Sequence, residues 1–128
     1  MEAEQWFRIL DDPGRSLQFA IEVGDEAIGG IGAIAGEGIA CQTAQFGYWL
    51  GEPFWNQGIA TAAARALTQF IESERAFARL EAPVFIWNPA SMRVLEKAGF
   101  FRESLRRHSV TKDGCLIDSV LYVRLIPE

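Results

Sequence analysis

Cysteine and histidine are scarce in this chain: Cys41, Cys115 and a single His108 among 128 residues. Two thiols are too few for a disulfide framework, and one imidazole with no metal-ligand spacing around it argues against a metal centre. Positive charge is also in short supply, with 12 Lys and Arg against 17 Asp and Glu and a formal net charge of −5. A chain of that sign carries no general nucleic-acid footprint, so no direct nucleic-acid binding is expected. The acidic balance suits a cationic substrate, and solubility alone accounts for it just as well. No apolar run approaches the roughly 20 residues that a membrane span needs. The opening "MEAEQWFRILDD" has neither the basic nor the apolar region of a secretory leader. The expectation is a reduced, cytoplasmic protein with no membrane contact and no metal.

What is present is ordinary for one folded unit. With 49% hydrophobic and 23% charged residues, the chain reads as a single domain over 1–128, able to bury about two-thirds of its unfolded surface. Trp6, Phe7, Ile9 and Leu10 among Glu and Gln fit a short amphipathic helix over 2–10, ended by "DDPG". Leu17, Phe19, Ile21 and Val23 alternate with Gln18, Ala20 and Glu22, the mark of a half-buried strand. "GDE" then turns the chain, and "AIGGIGAIA" reads as the return strand of a hairpin. Phe46, Tyr48 and Leu50 alternate in a third strand over 45–50 and complete an antiparallel meander.

The period then changes. Ala60, Ala63, Ala64, Leu67, Phe70 and Ile71 recur at helical spacing, and their small size favours both helix and close approach to a sheet. "RLEAPVFIW", 79–87, returns to strand composition, with Pro83 marking a locally unpaired side because it cannot donate to a ladder. Asn88 is a good N-cap with Pro89 at the first helical position, and Gly99 followed by Phe100 reads as the stop. Two strands over 105–111 and 116–125 join through "KDG". The order α–β–β–β–α–β–α–β–β, with a parallel crossover at the first long helix, describes an α+β domain. Its sheet is mixed, mostly antiparallel, six-stranded and flanked by helices.

Two stretches carry chemistry. In "EPFWNQGIATAAARAL", 52–67, a loop opens through Gly58 directly into a helix. Such a start presents unpaired N–H groups and the positive end of the helix dipole, where phosphates bind well. The plain alternative is a connection that merely needs a glycine. Elsewhere, Gly30-x-Gly32-x-x-Ala35 nominally matches a dinucleotide fingerprint. That motif needs a strand, a turn and then a helix. Here "EGIACQT" and another strand follow, so an oxidoreductase of that kind is rejected.

"GYWLGEPFWNQGIATAA" followed by "NPASMRVLEKAGF" resembles the GNAT N-acetyltransferase superfamily, and within it the RimJ/RimL-type branch. The resemblance covers roughly residues 17 to 126. It implies a GNAT-like fold, acetyl-CoA as cosubstrate, and acetyl transfer to a primary amine: a protein N-terminus, an aminoglycoside or a polyamine-like acceptor. Gln57, Gly58, Ile59, Ala60 and Thr61 would hold the pyrophosphate, and Gly58 would let the backbone come close. The strand edge at Tyr48, Trp49 and Leu50 would pair with the pantetheine arm, and an N–H near Trp49 or Leu50 would polarise the thioester carbonyl. Asn88 would touch the cofactor as well as cap the helix; the plain alternative is that Asn88 and Ser91 only start the helix. Ser91 would lie near the sulfur and protonate the departing thiolate.

The chain departs from the family pattern in places. The tyrosine many members use as thiolate acid is Leu95 here, the Arg or Gln opening the phosphate loop is Trp55, and the glutamate after "GxAT" is Ala62. The carboxylate base of RimL-type enzymes falls on Val110. His108, Asp118, Glu52 and Glu81 are the replacement candidates. His108 leads by its ordinary pKa near 6.5 and by lying two residues from Val110, hence on the same sheet face. The family's first strand and helix have no counterpart ahead of residues 2–10, which leaves a sheet edge open and suggests a homodimer. The rival reading is a non-catalytic acyl-CoA-binding module, a degenerate acetyltransferase.

Overall fold

The computed structural model describes residues 7–9 and 16–127. One sheet carries strands β1 (Phe7–Ile9), β2 (Leu17–Val23), β3 (Glu26–Ala35), β4 (Thr43–Leu50), β5 (Arg79–Phe85), β6 (Phe101–Lys112) and β7 (Cys115–Leu125), in the order β1-β2-β3-β4-β5-β7-β6. Helix α1 (Ile59–Glu74) connects β4 to β5, and α2 (Pro89–Lys97) follows β5. The six expected strands are all present in an α+β fold, and β4–β5 is the parallel pair among antiparallel neighbours. The seventh strand is a correction. The helix expected over 2–10 gives way at Phe7–Ile9 to a strand paired antiparallel with β2; the rest of that stretch lies outside the described residues. Short apolar runs do not separate helix from strand by periodicity, and here an open sheet edge decides.

The core lies between one face of the sheet and the helices. Ile21, Ile31, Phe46, Leu67, Leu80 and Val120 are among its buried members. Helix α1 turns Ile59, Ala63, Ala64, Leu67, Thr68 and Ile71 inward. Phe70, expected on that stripe, sits instead at its exposed margin, edge-on to Phe19 with ring centroids 6.2 Å apart. Thr68 takes a core position because its hydroxyl donates to the carbonyls of Ala64 and Arg65 within its own helix. Helix α2 starts and ends where expected. The Asn88 side chain accepts from the Ser91 N–H at 3.2 Å, and past Gly99, at φ +93°, the Phe100 N–H reaches back to the Leu95 carbonyl at 3.0 Å.

The two edges of β5 differ, and main-chain direction explains why. The Gly36 N–H donates to Thr43 and the Gly51 N–H to Ile28, so odd-numbered positions of β4 bond to β3. Even-numbered positions, from the Gln42 carbonyl that accepts from Ala78 and Arg79, therefore face β5. On β5, the Ile86 N–H donates to Asp118 and the Ala78 carbonyl accepts from Ile126, so even positions serve β7 and odd ones face β4. The β4–β5 ladder runs only from Thr43↔Arg79 to Gln45↔Glu81. The next donor due is Pro83, opposite the Phe46 carbonyl, and proline has no N–H to give. The unpaired side expected from Pro83 is thus the β4 side.

Candidate active site

Beyond Gln45 and Glu81 the two parallel strands part and leave β4 with one free edge. By the alternation above, the main-chain groups of Phe46, Tyr48 and Leu50 point into that opening, while those of Trp49 pair with Gly30 on β3. Trp49 was expected alongside its neighbours as a main-chain contact; its N–H turns away, and Tyr48 and Leu50 hold the donors that face the gap. The Leu50 carbonyl is taken by the Trp55 indole N–H at 2.8 Å. This leaves the N–H as Leu50's available group and pins the following loop against the strand end. A groove of about 440 Å³ runs along this region, lined among others by Gln45, Gly47, Tyr48, Trp49 and Pro83. Among the described residues no Asp, Glu, Lys, Arg or His lines it.

The end of β4 feeds a 3-10 turn, Glu52–Phe54, and then the start of α1. Gly58 is the N-cap residue at φ +78°, a left-handed conformation open to glycine, and a Cβ there would meet nothing within 4 Å. No side chain caps the helix. The first intrahelical donor is Ala62, to the Gly58 carbonyl at 3.0 Å, so the N–H groups of Ile59, Ala60 and Thr61 precede the ladder. The Gln57 side chain folds back to donate to the Pro53 carbonyl at 2.9 Å. Lys and Arg are absent from 51–64, so what this stretch itself offers an anion is backbone N–H groups and the helix dipole.

Across the opening, the Tyr48 hydroxyl donates to Ser91 Oγ at 3.1 Å. Burial pushes the Tyr48 phenol above its usual value, and the bond to Ser91 offsets part of that rise. Ser91 sits in the first turn of α2, held through its N–H by Asn88. One cluster therefore joins Tyr48, Asn88 and Ser91 between the two separated strands. Sequence reasoning treated Tyr48 and Ser91 separately and missed their bond, for no periodicity links positions 43 residues apart.

His108 lies elsewhere in the sheet. It is exposed on β6, the terminal strand, at φ +51°, with its main-chain N–H bonded to Asp118 Oδ1 at 2.9 Å. The register shifts between Arg106 and Val110, so period-two alternation does not carry across, and the argument placing His108 on the face of Val110 fails. Of the other base candidates, Glu81 is paired with Arg79 at 2.8 Å and Glu52 is exposed in the 3-10 turn. The glycine motif near residue 30 lies wholly inside β3, as its rejection requires. A Cβ on Gly30 would fall 2.7 Å from Trp49 Nε1, and one on Gly32 2.7 Å from the Leu17 carbonyl oxygen. Those glycines serve packing. Among the described residues no cluster of His, Cys, Asp or Glu is arranged to hold a metal, and no helix is long and apolar enough to cross a membrane.

Residues 1–101 match the family model described as an acetyltransferase (GNAT) domain. A probable N-acetyltransferase, YjcK of Bacillus subtilis, is 39% identical over 89 residues, which cover 70% of this chain and 49% of the relative. The ribosomal-protein-serine acetyltransferase of Escherichia coli is 30% identical over 92% of this chain and 65% of its own length. Among solved structures, a RimL ribosomal L7/L12 alpha-N-protein acetyltransferase in complex with coenzyme A superposes with a TM-score of 0.80 at 27% identity. That match covers 87% of this chain and 62% of the other. The chain thus spans about half to two-thirds of the length of these relatives.

Proposed function

Because this chain belongs to the GNAT acetyltransferase family, we propose that it moves an acetyl group from acetyl-CoA to a primary amine by direct attack in a ternary complex. The observation that carries the reading is continuity. The free edge of β4 leads, through a pinned turn, straight to the uncapped N-terminus of α1. An extended amide arm ending in a pyrophosphate needs those two features in that order. The N–H groups of Ile59, Ala60 and Thr61 receive the phosphates, and Gly58 keeps the approach open. Tyr48 and Leu50 offer main-chain partners to the arm, and a donor among them faces the thioester oxygen as it gains charge. The acceptor nitrogen attacks the carbonyl carbon, and Ser91 gives its hydroxyl proton to the sulfur that leaves.

The acceptor is the amino terminus of a peptide or protein. The RimL alpha-N-protein acetyltransferase that superposes on this chain points that way. The groove supports it, because polyamines and aminoglycosides carry several positive charges and no carboxylate among the described residues lines it to receive them. The amine's proton passes to water, since no candidate base among the described residues is placed at the opening. Calorimetric titration of acetyl-CoA into the protein and a Gly58→Glu variant tests the site. Saturable binding lost in the variant supports it, and no binding by the intact chain overturns it. Free CoA released with an N-terminal peptide amine then separates transfer from mere acyl-CoA binding.

A further inference from the structure

We infer that Tyr48 is a positioning residue that acts through Ser91, replacing the proton that Ser91 passes to the leaving thiolate. The inference rests on the acetyl-transfer reading above and concerns a weakness in it. A thiol ordinarily titrates near 8.5 and a tyrosine near 10. An aliphatic alcohol is a far weaker acid than either. A serine acting alone would protonate the thiolate only by becoming an alkoxide, a steeply uphill transfer. A tyrosine behind it changes the balance, because the proton is drawn in the end from a phenol.

The geometry is arranged for that relay. Tyr48 donates to Ser91 Oγ at 3.1 Å, and the Ser91 N–H is held by Asn88 at 3.2 Å. With Oγ accepting from the phenol and the backbone fixed, the Ser91 hydroxyl hydrogen remains free to turn toward the opening between β4 and β5. Donation from Tyr48 polarises that hydrogen, as linked hydrogen bonds do in a partly buried site. Burial raises the phenol above its usual value, which keeps it a donor through the neutral range. The ring is packed against the core on the helix side of β4, so the hydroxyl is delivered by a rigid element.

The amine lone pair forms the C–N bond, the C–S bond breaks, and its electron pair goes to sulfur. Sulfur takes the Ser91 Oγ proton, and Ser91 takes the Tyr48 proton. The acceptor's surplus proton goes to water, and water returns one to the Tyr48 phenolate. The enzyme ends as it began, with an amide and free CoA thiol formed.

The decisive measurement is titration of the CoA thiol in the product complex, followed by thiolate absorbance, for wild type, Tyr48→Phe, Ser91→Ala and the double variant. The expected result is a bound thiol that titrates at lower pH in wild type than in Tyr48→Phe. Ser91→Ala matches that shift, and the double variant adds nothing. In turnover, kcat in Tyr48→Phe falls tenfold or more while KM for acetyl-CoA stays within about twofold, within the range of general-acid effects. An unchanged thiol titration in Tyr48→Phe, with CoA still bound, overturns the inference and leaves Tyr48 a tether across the gap. Wild-type protein that binds no CoA overturns the acetyl-transfer reading itself, and the inference falls with it.

Discussion

Strand β5 has two edges that the fold treats in opposite ways. Along β7 it is paired at every position from Arg79 to Phe85, and along β4 only from Arg79 to Glu81. The paired side contains Leu80, Val84, Val120 and Val123, all buried. The open side contains Pro83, Tyr48 and the groove. Stability and the proposed ligand contact are thus divided between two edges of a single strand. A sheet exposes unpaired main-chain groups only where something else answers them, and the open edge points at the start of α1.

The largest break in that comparison comes from the closed side. Leu80→Ala, at a site with 0% exposure, should cost about 2–5 kcal/mol in denaturant unfolding. Its acetyl-CoA affinity, measured where the variant is still folded, should stay within about twofold, and a large loss would mean the two edges are not separable. Pro83→Val sharpens the contrast from the open side. It restores a donor opposite the Phe46 carbonyl and lets the ladder extend, so acetyl-CoA should bind several-fold more weakly while Tm holds or rises by the worth of about one hydrogen bond. Calorimetry on the variant showing unchanged affinity would remove the ladder's end from the account of the site.

A smaller effect separates capping from ligand contact. Asn88→Ala should lower stability by about 1 kcal/mol, and Asn88→Asp, which keeps the accepting oxygen, should recover it in thermal unfolding. The smallest effect belongs to the rim. Arg79 holds Glu103 below its usual carboxylate range, through a hydrogen bond first and charge second. A depressed folded pKa contributes stability above the unfolded value, about 4.3, and loses it as pH falls through the folded value. Glu103→Gln should therefore lower Tm slightly near neutrality and not at all in acid. A gap that persists at low pH would show the pair is not its cause.

Much of this was legible along the chain because neighbouring residues determine it. Leu17 to Val23 alternates, and a strand forms there. Asn88-Pro89 and Gly99 bracket α2 because capping acts within a few residues. Pro83 announced an unpaired side, and hydrogen-bond parity assigns that side to β4. Where the reading failed, a distant partner decided. Phe7–Ile9 became a strand because β2 offers it an edge, and Phe70 moved off the core stripe toward Phe19. His108 lost its place beside Val110 because a bulge on β6 breaks the alternation.

The sequence by itself determined the elements from Leu17 onward, the caps of α2, the break at Pro83 and the glycine that opens α1, since each follows from local patterning, local sterics or a donor that is missing. Only the tertiary structure decided which groups meet. It turned Tyr48 and Leu50, rather than Trp49, into the opening, and it carried the Tyr48 hydroxyl to Ser91 across 43 residues of chain. The physical reason is that strand order and hydrogen-bond parity belong to the assembled sheet. No stretch of residues read singly contains them.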